Sequence, residues 1–228
     1  MQPVKLDGIR ACVFDAYGTL FDVSSASRSA QDALGDQWQA LSDLWRGKQL
    51  QYTWLRGLGG RHADFWQVTG DALDFALETL KINDPALRER LMRLYLGLSA
   101  YREVPQVLRR LKDSGMRLAI LSNGTPRMLE SAVCNAGLTG LFAAVLSVEE
   151  VGVYKPHPSV YRLAVDRLSV DAEHICFLSS NGWDAYSAKA FGFQVLWCNR
   201  FGQAPERIPA PPNAEIWDLS PLPESVIG

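Results

Sequence analysis

Four short apolar runs, at residues 11–14, 117–121, 143–147 and 175–178, each give way to a polar loop, and helical patterns separate them. Such runs make strands buried on both faces, and strands alternating with helices build a parallel sheet with right-handed crossovers. The carboxyl ends of parallel strands share one rim, where ligands bind. The first run ends on Asp15, and the second leads into Ser122-Asn123-Gly124. Lys155 follows the third, and Ser179, Asn181 and Asp184 follow the fourth. One polar loop means little. Four loops that carry two carboxylates, hydroxyls and an ammonium to one rim make an active-site constellation. Asp15 can attack carbon or phosphorus to form an ester, or it caps the next helix. Gly18 lets the backbone turn sharply beside it.

Between the first two runs the sequence is helical. Trp38, Leu41, Trp45, Tyr52 and Leu55 recur at steps of three, four and seven, and Arg46, Leu50 and Trp54 form a second stripe. A helix apolar on two sides is expected to be buried on two sides, and Gly57-Leu58-Gly59-Gly60 ends it. A further helix is expected over 63–80, with Phe65, Ala72, Phe75 and Ala76 inward. Asn83-Asp84-Pro85 reads as an N-cap with proline at the first helical position, starting a helix that runs to about residue 98. Beyond it, helices are expected over 105–114, 126–136, 159–168 and 184–191. A strand is expected over 194–198, and a short edge strand over 215–219 after a proline-rich stretch.

With 228 residues, one core domain carrying a sizeable insertion fits. A formal charge of −2 gives no electrostatic case for nucleic acid or an anionic membrane. No apolar run approaches the ~20 residues of a membrane span. The start, Met1 to Asp7, lacks a signal-peptide pattern, so a cytoplasmic location is expected. The four cysteines, Cys12, Cys134, Cys176 and Cys198, show no C-x-x-C spacing, which argues against zinc. His62, His157 and His174 form neither a metal set nor a triad, and no strand precedes a G-x-G-x-x-G.

The run Asp15-x-Tyr17-Gly18-Thr19-Leu20-Phe21-Asp22 resembles the first motif of the haloacid dehalogenase superfamily. Ser122-Asn123-Gly124, then Tyr154-Lys155-Pro156, then Ser179-Ser180-Asn181-x-Trp183-Asp184 resemble the later motifs of the L-2-haloacid dehalogenases, and residues 44–54 resemble their cap helix. The likeness spans residues 11–200. It implies an α/β fold: a Rossmann-like parallel-sheet core, residues 1–20 and 99–228, with an inserted helical cap, residues 21–98. It implies cofactor-independent conversion of a small (S)-2-haloacid and water into the (R)-2-hydroxyacid and halide. No metal, nucleic acid or membrane enters the reaction, and a homodimer is expected.

The resemblance also assigns roles. Asp15 is the nucleophile, and Lys155 keeps it ionised. Arg46, with Asn123, stabilises the departing halide. Ser122 holds the substrate carboxylate, and Thr19 supplies a second hydroxyl; without the family both read as turn or capping groups. Tyr17, Leu50, Phe65 and Trp183 form an apolar wall, although periodicity alone makes Phe65 a core residue. Ser179, Asn181 and Asp184 serve ester hydrolysis, with Asp184 orienting or activating water; Asp184 also suits an N-cap. Tyr161 supports the site, or is a core tyrosine. Phosphatases of the superfamily carry a second Asp where Tyr17 stands, and carboxylates that hold magnesium where Ser179-Ser180-Asn181 stand. A magnesium-dependent phosphatase and a non-catalytic carboxylate-binding relative are therefore the rival readings. Gly47, where a larger polar residue is common, is expected to widen the pocket or alter the substrate range.

Overall fold

The computed structural model describes residues 4–227. Met1, Gln2 and Pro3, which open the segment searched for a signal peptide, and Gly228 lie outside the described residues. Strand β1 (Ala11–Phe14) is followed by helices α1 (Ser25–Arg28), α2 (Gln31–Leu34), α3 (Trp38–Leu58), α4 (Phe65–Thr79) and α5 (Pro85–Leu96). Then come α6 (Val104–Asp113), β2 (Arg117–Ser122), α7 (Pro126–Asn135), β3 (Ala144–Ser147), α8 (Pro158–Leu168) and β4 (Ile175–Ser179). The chain closes with α9 (Gly182–Phe191), β5 (Gln194–Cys198), β6 (Ala214–Ile216) and α10 (Leu222–Val226).

The six strands form one sheet in the order β3-β2-β1-β4-β5-β6, every pair parallel. This is the expected Rossmann-like α/β core. Strand β1 is central, and all four of its side chains are buried. Phe14 pairs with Ile120 on one side and Leu178 on the other. Asp15, Ser122 and Ser179 therefore leave the sheet at nearly one level, and the Asp15 amide still donates to Leu178 O at 2.8 Å. The chain reverses direction across β1 in the strand order, which makes this rim the topological switch point.

No described strand lies between Val23 and Ala100; the insertion is helical, as expected. Asp84 caps α5 by accepting from the Leu87 amide, and Asp64 caps α4 by accepting from the Gln67 amide. Three details differ from the sequence reading. The fully buried stripe of α3 is Leu41, Trp45, Gln49 and Thr53, while Leu55 and Trp54 are exposed. A strict step of four won over the purely apolar pattern, because the polar members find partners: Gln49 on Thr69 and Tyr95, and Thr53 on Leu50 O. Phe75 is only half-buried, with the Lys48 ammonium 4.1 Å from its ring centroid. The edge strand stops at Ile216, leaving Trp217 exposed, and a short helix, α10, follows.

Cys12, Cys176 and Cys198 are buried and Cys134 is exposed, all unpaired. Burial pushes the Cys198 thiol up to about 12, which keeps it inert. The three histidines have structural partners: His62 pairs with Glu149, His157 caps α8, and His174 faces Gly8 O.

Candidate active site

Three charges meet in the interior at the end of β1. Lys155 Nζ lies 3.1 Å from Asp15 Oδ1 and 2.9 Å from Asp184 Oδ2, and all three side chains are nearly inaccessible to water. Tyr161 donates to the other Asp184 oxygen at 2.8 Å. An uncompensated buried charge is costly, so this cluster persists only because each charge has a partner. Burial acts against the Lys155 charge, but the two carboxylates outweigh it and hold the ammonium above the usual lysine range. Burial pushes Asp184 above the usual aspartate range, with Lys155 opposing the shift. Helix α9 begins at Gly182, so Asp184 lies inside its first turn and is not the N-cap. Its carboxylate belongs to the charge cluster.

The second oxygen of Asp15 faces neutral donors. Oδ2 accepts from Thr19 Oγ1 at 3.2 Å and from Asn181 Nδ2 at 3.0 Å. Thr19 is held in turn because its Oγ1 accepts from the Ser180 amide at 2.8 Å. Gly18 sits at φ +92°, and a Cβ there would meet Ser180 Oγ at 2.8 Å, so both conformation and space require glycine.

Helix α3 brings Arg46 over this group. Its Nη2 donates to Asn181 Oδ1 and to Tyr17 O, each at 3.3 Å, and Nη1 donates to Gln49 Oε1 at 2.7 Å. Among the described residues Arg46 forms no ion pair. A guanidinium satisfied by neutral oxygens keeps its charge for an incoming anion. Asn123 Oδ1 accepts from the Lys155 amide at 3.1 Å, which fixes the flip of its amide. Ser122 Oγ accepts from the Gly124 amide and Ser179 Oγ from the Asn181 amide, so both hydroxyls also shape their turns.

The wall beside Asp15 is aromatic. Tyr17 stacks on Tyr95 at 5.6 Å and lies 5.7 Å from Phe65, and both Tyr17 and Phe65 are buried. Burial pushes the Tyr17 phenol far above its usual range, so it stays neutral. The Tyr17 hydroxyl and the Trp183 indole N–H are buried without a hydrogen-bond partner among the described residues. Trp183 packs edge-on to Trp54 at 5.4 Å. These two tryptophans, Leu58, Pro156 and Ile208 line a cleft of about 440 Å³ whose wall includes Lys155. Leu50, half-buried, follows Arg46 by one turn of α3. Gly124 presses on Tyr17: a Cβ there would lie 2.8 Å from Tyr17 Cε2 and 2.9 Å from its hydroxyl. Rings held on two sides cannot yield cheaply, so Gly124→Ala is expected to destabilise the fold by about 1–3 kcal/mol, measured by urea unfolding.

Gly47 does not widen this site. It is exposed, and an added Cβ would meet nothing within 4 Å. Sequence reasoning missed Gln49, Thr69 and Tyr95, which hold Arg46 from behind, and Ser180, which holds Thr19. The signal available for Gln49 was a polar residue four positions after Trp45 on an otherwise inward stripe.

A model of the haloacid dehalogenase-like hydrolase family matches residues 9–192. The chain belongs to this family. This hydrolase is 45% identical to (S)-2-haloacid dehalogenase 4A of Burkholderia cepacia, over 95% of its own length and 94% of that protein's. It is also 45% identical to (S)-2-haloacid dehalogenase 1 of Pseudomonas sp. (strain CBS-3), over 97% and 98% of the two chains. Among solved structures it resembles the L-2-haloacid dehalogenase from Xanthobacter autotrophicus with chloropropionic acid covalently bound. That match has a TM-score of 0.89 at 38% identity and covers 95% of this chain and 97% of that one.

Proposed function

We propose that this hydrolase releases halide from small (S)-2-haloacids and forms the (R)-2-hydroxyacid through an ester on Asp15. The observation that carries the reading is the placement of Arg46, which donates to Tyr17 O and to Oδ1 of Asn181, the same amide whose nitrogen donates to Asp15 Oδ2. A cation without a carboxylate partner, facing a buried nucleophile across an apolar wall, suits a leaving anion. The dehalogenase relatives named above support the same reading. Residues 21–98, which contribute Arg46, Leu50 and Phe65, act as a cap over a core of residues 1–20 and 99–228.

In the first step one Asp15 oxygen attacks the halogen-bearing carbon from the side opposite the halogen. The new C–O bond forms as the carbon–halogen bond breaks, and the electron pair leaves with the halide toward Arg46 and Asn123. The substrate carboxylate is held by Ser122 and the amides of the neighbouring turn. In the second step water attacks Cγ of Asp15, and its proton passes to Asp184. The acyl C–O bond breaks, the departing oxygen takes the proton back from Asp184 to give the hydroxyacid, and the regenerated Asp15 carboxylate holds the oxygen from water, so the stereocentre inverts once only. Either Asp15 oxygen that takes back negative charge meets a donor: Lys155 at Oδ1, Thr19 and Asn181 at Oδ2. Tyr161 and Lys155 hold Asp184 in place, and Ser179 sets the turn that presents Asn181.

The direction of the Asp184 shift sets the acid limb of ester hydrolysis. A base must be ionised, and burial raises Asp184, so kcat is expected to fall already above the usual aspartate pKa of ~3.9. A pH profile of kcat checks this, and an Asp184→Asn enzyme is expected to accumulate the ester, seen as added mass on the intact protein.

Halide release from (S)- and (R)-2-chloropropionate, with EDTA present, tests the reading. Release from the (S) form alone, unaffected by EDTA, is expected. No release from either, together with EDTA-sensitive hydrolysis of a phosphoester, would overturn it in favour of a magnesium-dependent phosphatase. A homodimer in the cytoplasm completes the reading. Four free cysteines suit a reducing compartment. Light scattering in solution tests the dimer.

A further inference from the structure

Behind Arg46 lies a polar cluster that the reaction above does not use. Gln49 follows Arg46 by three residues on α3 and is fully buried. Its Oε1 accepts from Arg46 Nη1 at 2.7 Å, and its Nε2 donates to Thr69 Oγ1 at 2.7 Å on α4 and to the Tyr95 hydroxyl at 3.1 Å on α5. Proton counting fixes this orientation. Thr69 spends its only hydroxyl proton on Phe65 O at 2.6 Å, so Oγ1 can only accept from Gln49. Arg46 has donors alone, so it must meet the amide oxygen. The flip of one amide is thus set by two helices and delivered to the guanidinium.

We propose that Gln49 is a positioning residue for the leaving group: it aims Arg46 while leaving its charge unneutralised. The inference rests on the dehalogenase reading and deepens it. A carboxylate at position 49 would hold Arg46 at a similar distance, but it would cancel the charge and lose the donor to Thr69. A neutral amide is the side chain of that shape that satisfies both neighbours. Tyr95, whose hydroxyl accepts from Gln49, stacks its ring on Tyr17, so the cluster also ties Arg46 to the wall beside Asp15.

The test is kcat/KM for (S)-2-chloropropionate and (S)-2-bromopropionate in the wild type, Gln49→Glu and Gln49→Met, with thermal unfolding of each. This constant covers the chain of steps through halide departure, whichever later step limits turnover. Chloride is the poorer leaving group and needs more stabilisation as it departs. Gln49→Glu is expected to lower the chloride constant by about 10²-fold and the bromide constant by several-fold less. Gln49→Met, which keeps the shape but loses the acceptor, is expected to shift the ratio in the same direction. Equal losses on both substrates, or none, would overturn the assignment, because a purely packing role lowers both alike. A wild type that releases neither halide would instead remove the dehalogenase reading on which the assignment stands.

Discussion

Asp15→Asn is expected to lower halide release by about 10⁴-fold or more while the chain stays folded. The amide is neutral and its nitrogen lone pair is delocalised, so nothing remains at the end of β1 to attack carbon. The geometry predicts a small structural effect. Asp15 Oδ1 faces the Lys155 ammonium and Oδ2 faces two further donors, so an amide NH₂ must confront a donor whichever way it turns. Lys155 keeps Asp184 as a counter-charge at 2.9 Å, so no bare cation is left in the interior. The expected stability cost is about 1–3 kcal/mol, that of one mismatched buried polar group. Halide release under single-turnover conditions, with urea unfolding alongside, separates the two effects. Activity above about 1% of wild type, from a freshly purified variant, would mean that another group attacks.

The rim of the sheet was legible because local chemistry and topology coincide there. Asp15, Ser122, Ser179 and Asp184 all stand within a few residues of an apolar run, and a parallel sheet gathers such positions whatever the rest of the chain does. The helical insertion was legible as helices but not as a surface. Whether Trp54 or Gln49 points inward depends on where α4 and α5 pack, and periodicity cannot supply that. The apolar count favoured Tyr52 and Leu55, whereas the buried stripe runs through Gln49, whose amide is satisfied by Thr69 and Tyr95 far along the chain, and Thr53, whose hydroxyl donates to Leu50 O one turn back. Gly47 shows the same limit from the other side. An unusual residue beside Arg46 looked like a pocket feature, but one step along a helix turns the side chain by roughly 100°, and position 47 faces solvent. Tyr161, which the sequence leaves as either a support of the site or a core tyrosine, is both: its ring packs on Phe177 while its hydroxyl bonds Asp184.

Lys155→Met is expected to cost more stability than any other single change at the site, about 3–5 kcal/mol, because it strands two buried carboxylates. Methionine fills the space of the stem but leaves the two carboxylates facing each other. One of them then takes up a proton at neutral pH, and halide release is expected to fall by about 10³-fold. The pH dependence distinguishes this from a packing defect. In the wild type Lys155 is held above its usual range, so its contribution is complete below the unfolded lysine pKa and is lost as pH rises through the higher folded value. Asp184 is also raised, so folding favours its protonated form, and that preference is lost as pH rises through the raised value. Lys155 opposes the Asp184 shift; without it the shift grows, and the stability of the variant falls more steeply from acid to neutral pH than that of the wild type. Urea unfolding of both proteins at acidic and neutral pH measures the difference. A stability gap that is the same at both would mean that the ammonium serves only to fill space and does not compensate the two carboxylates beside it.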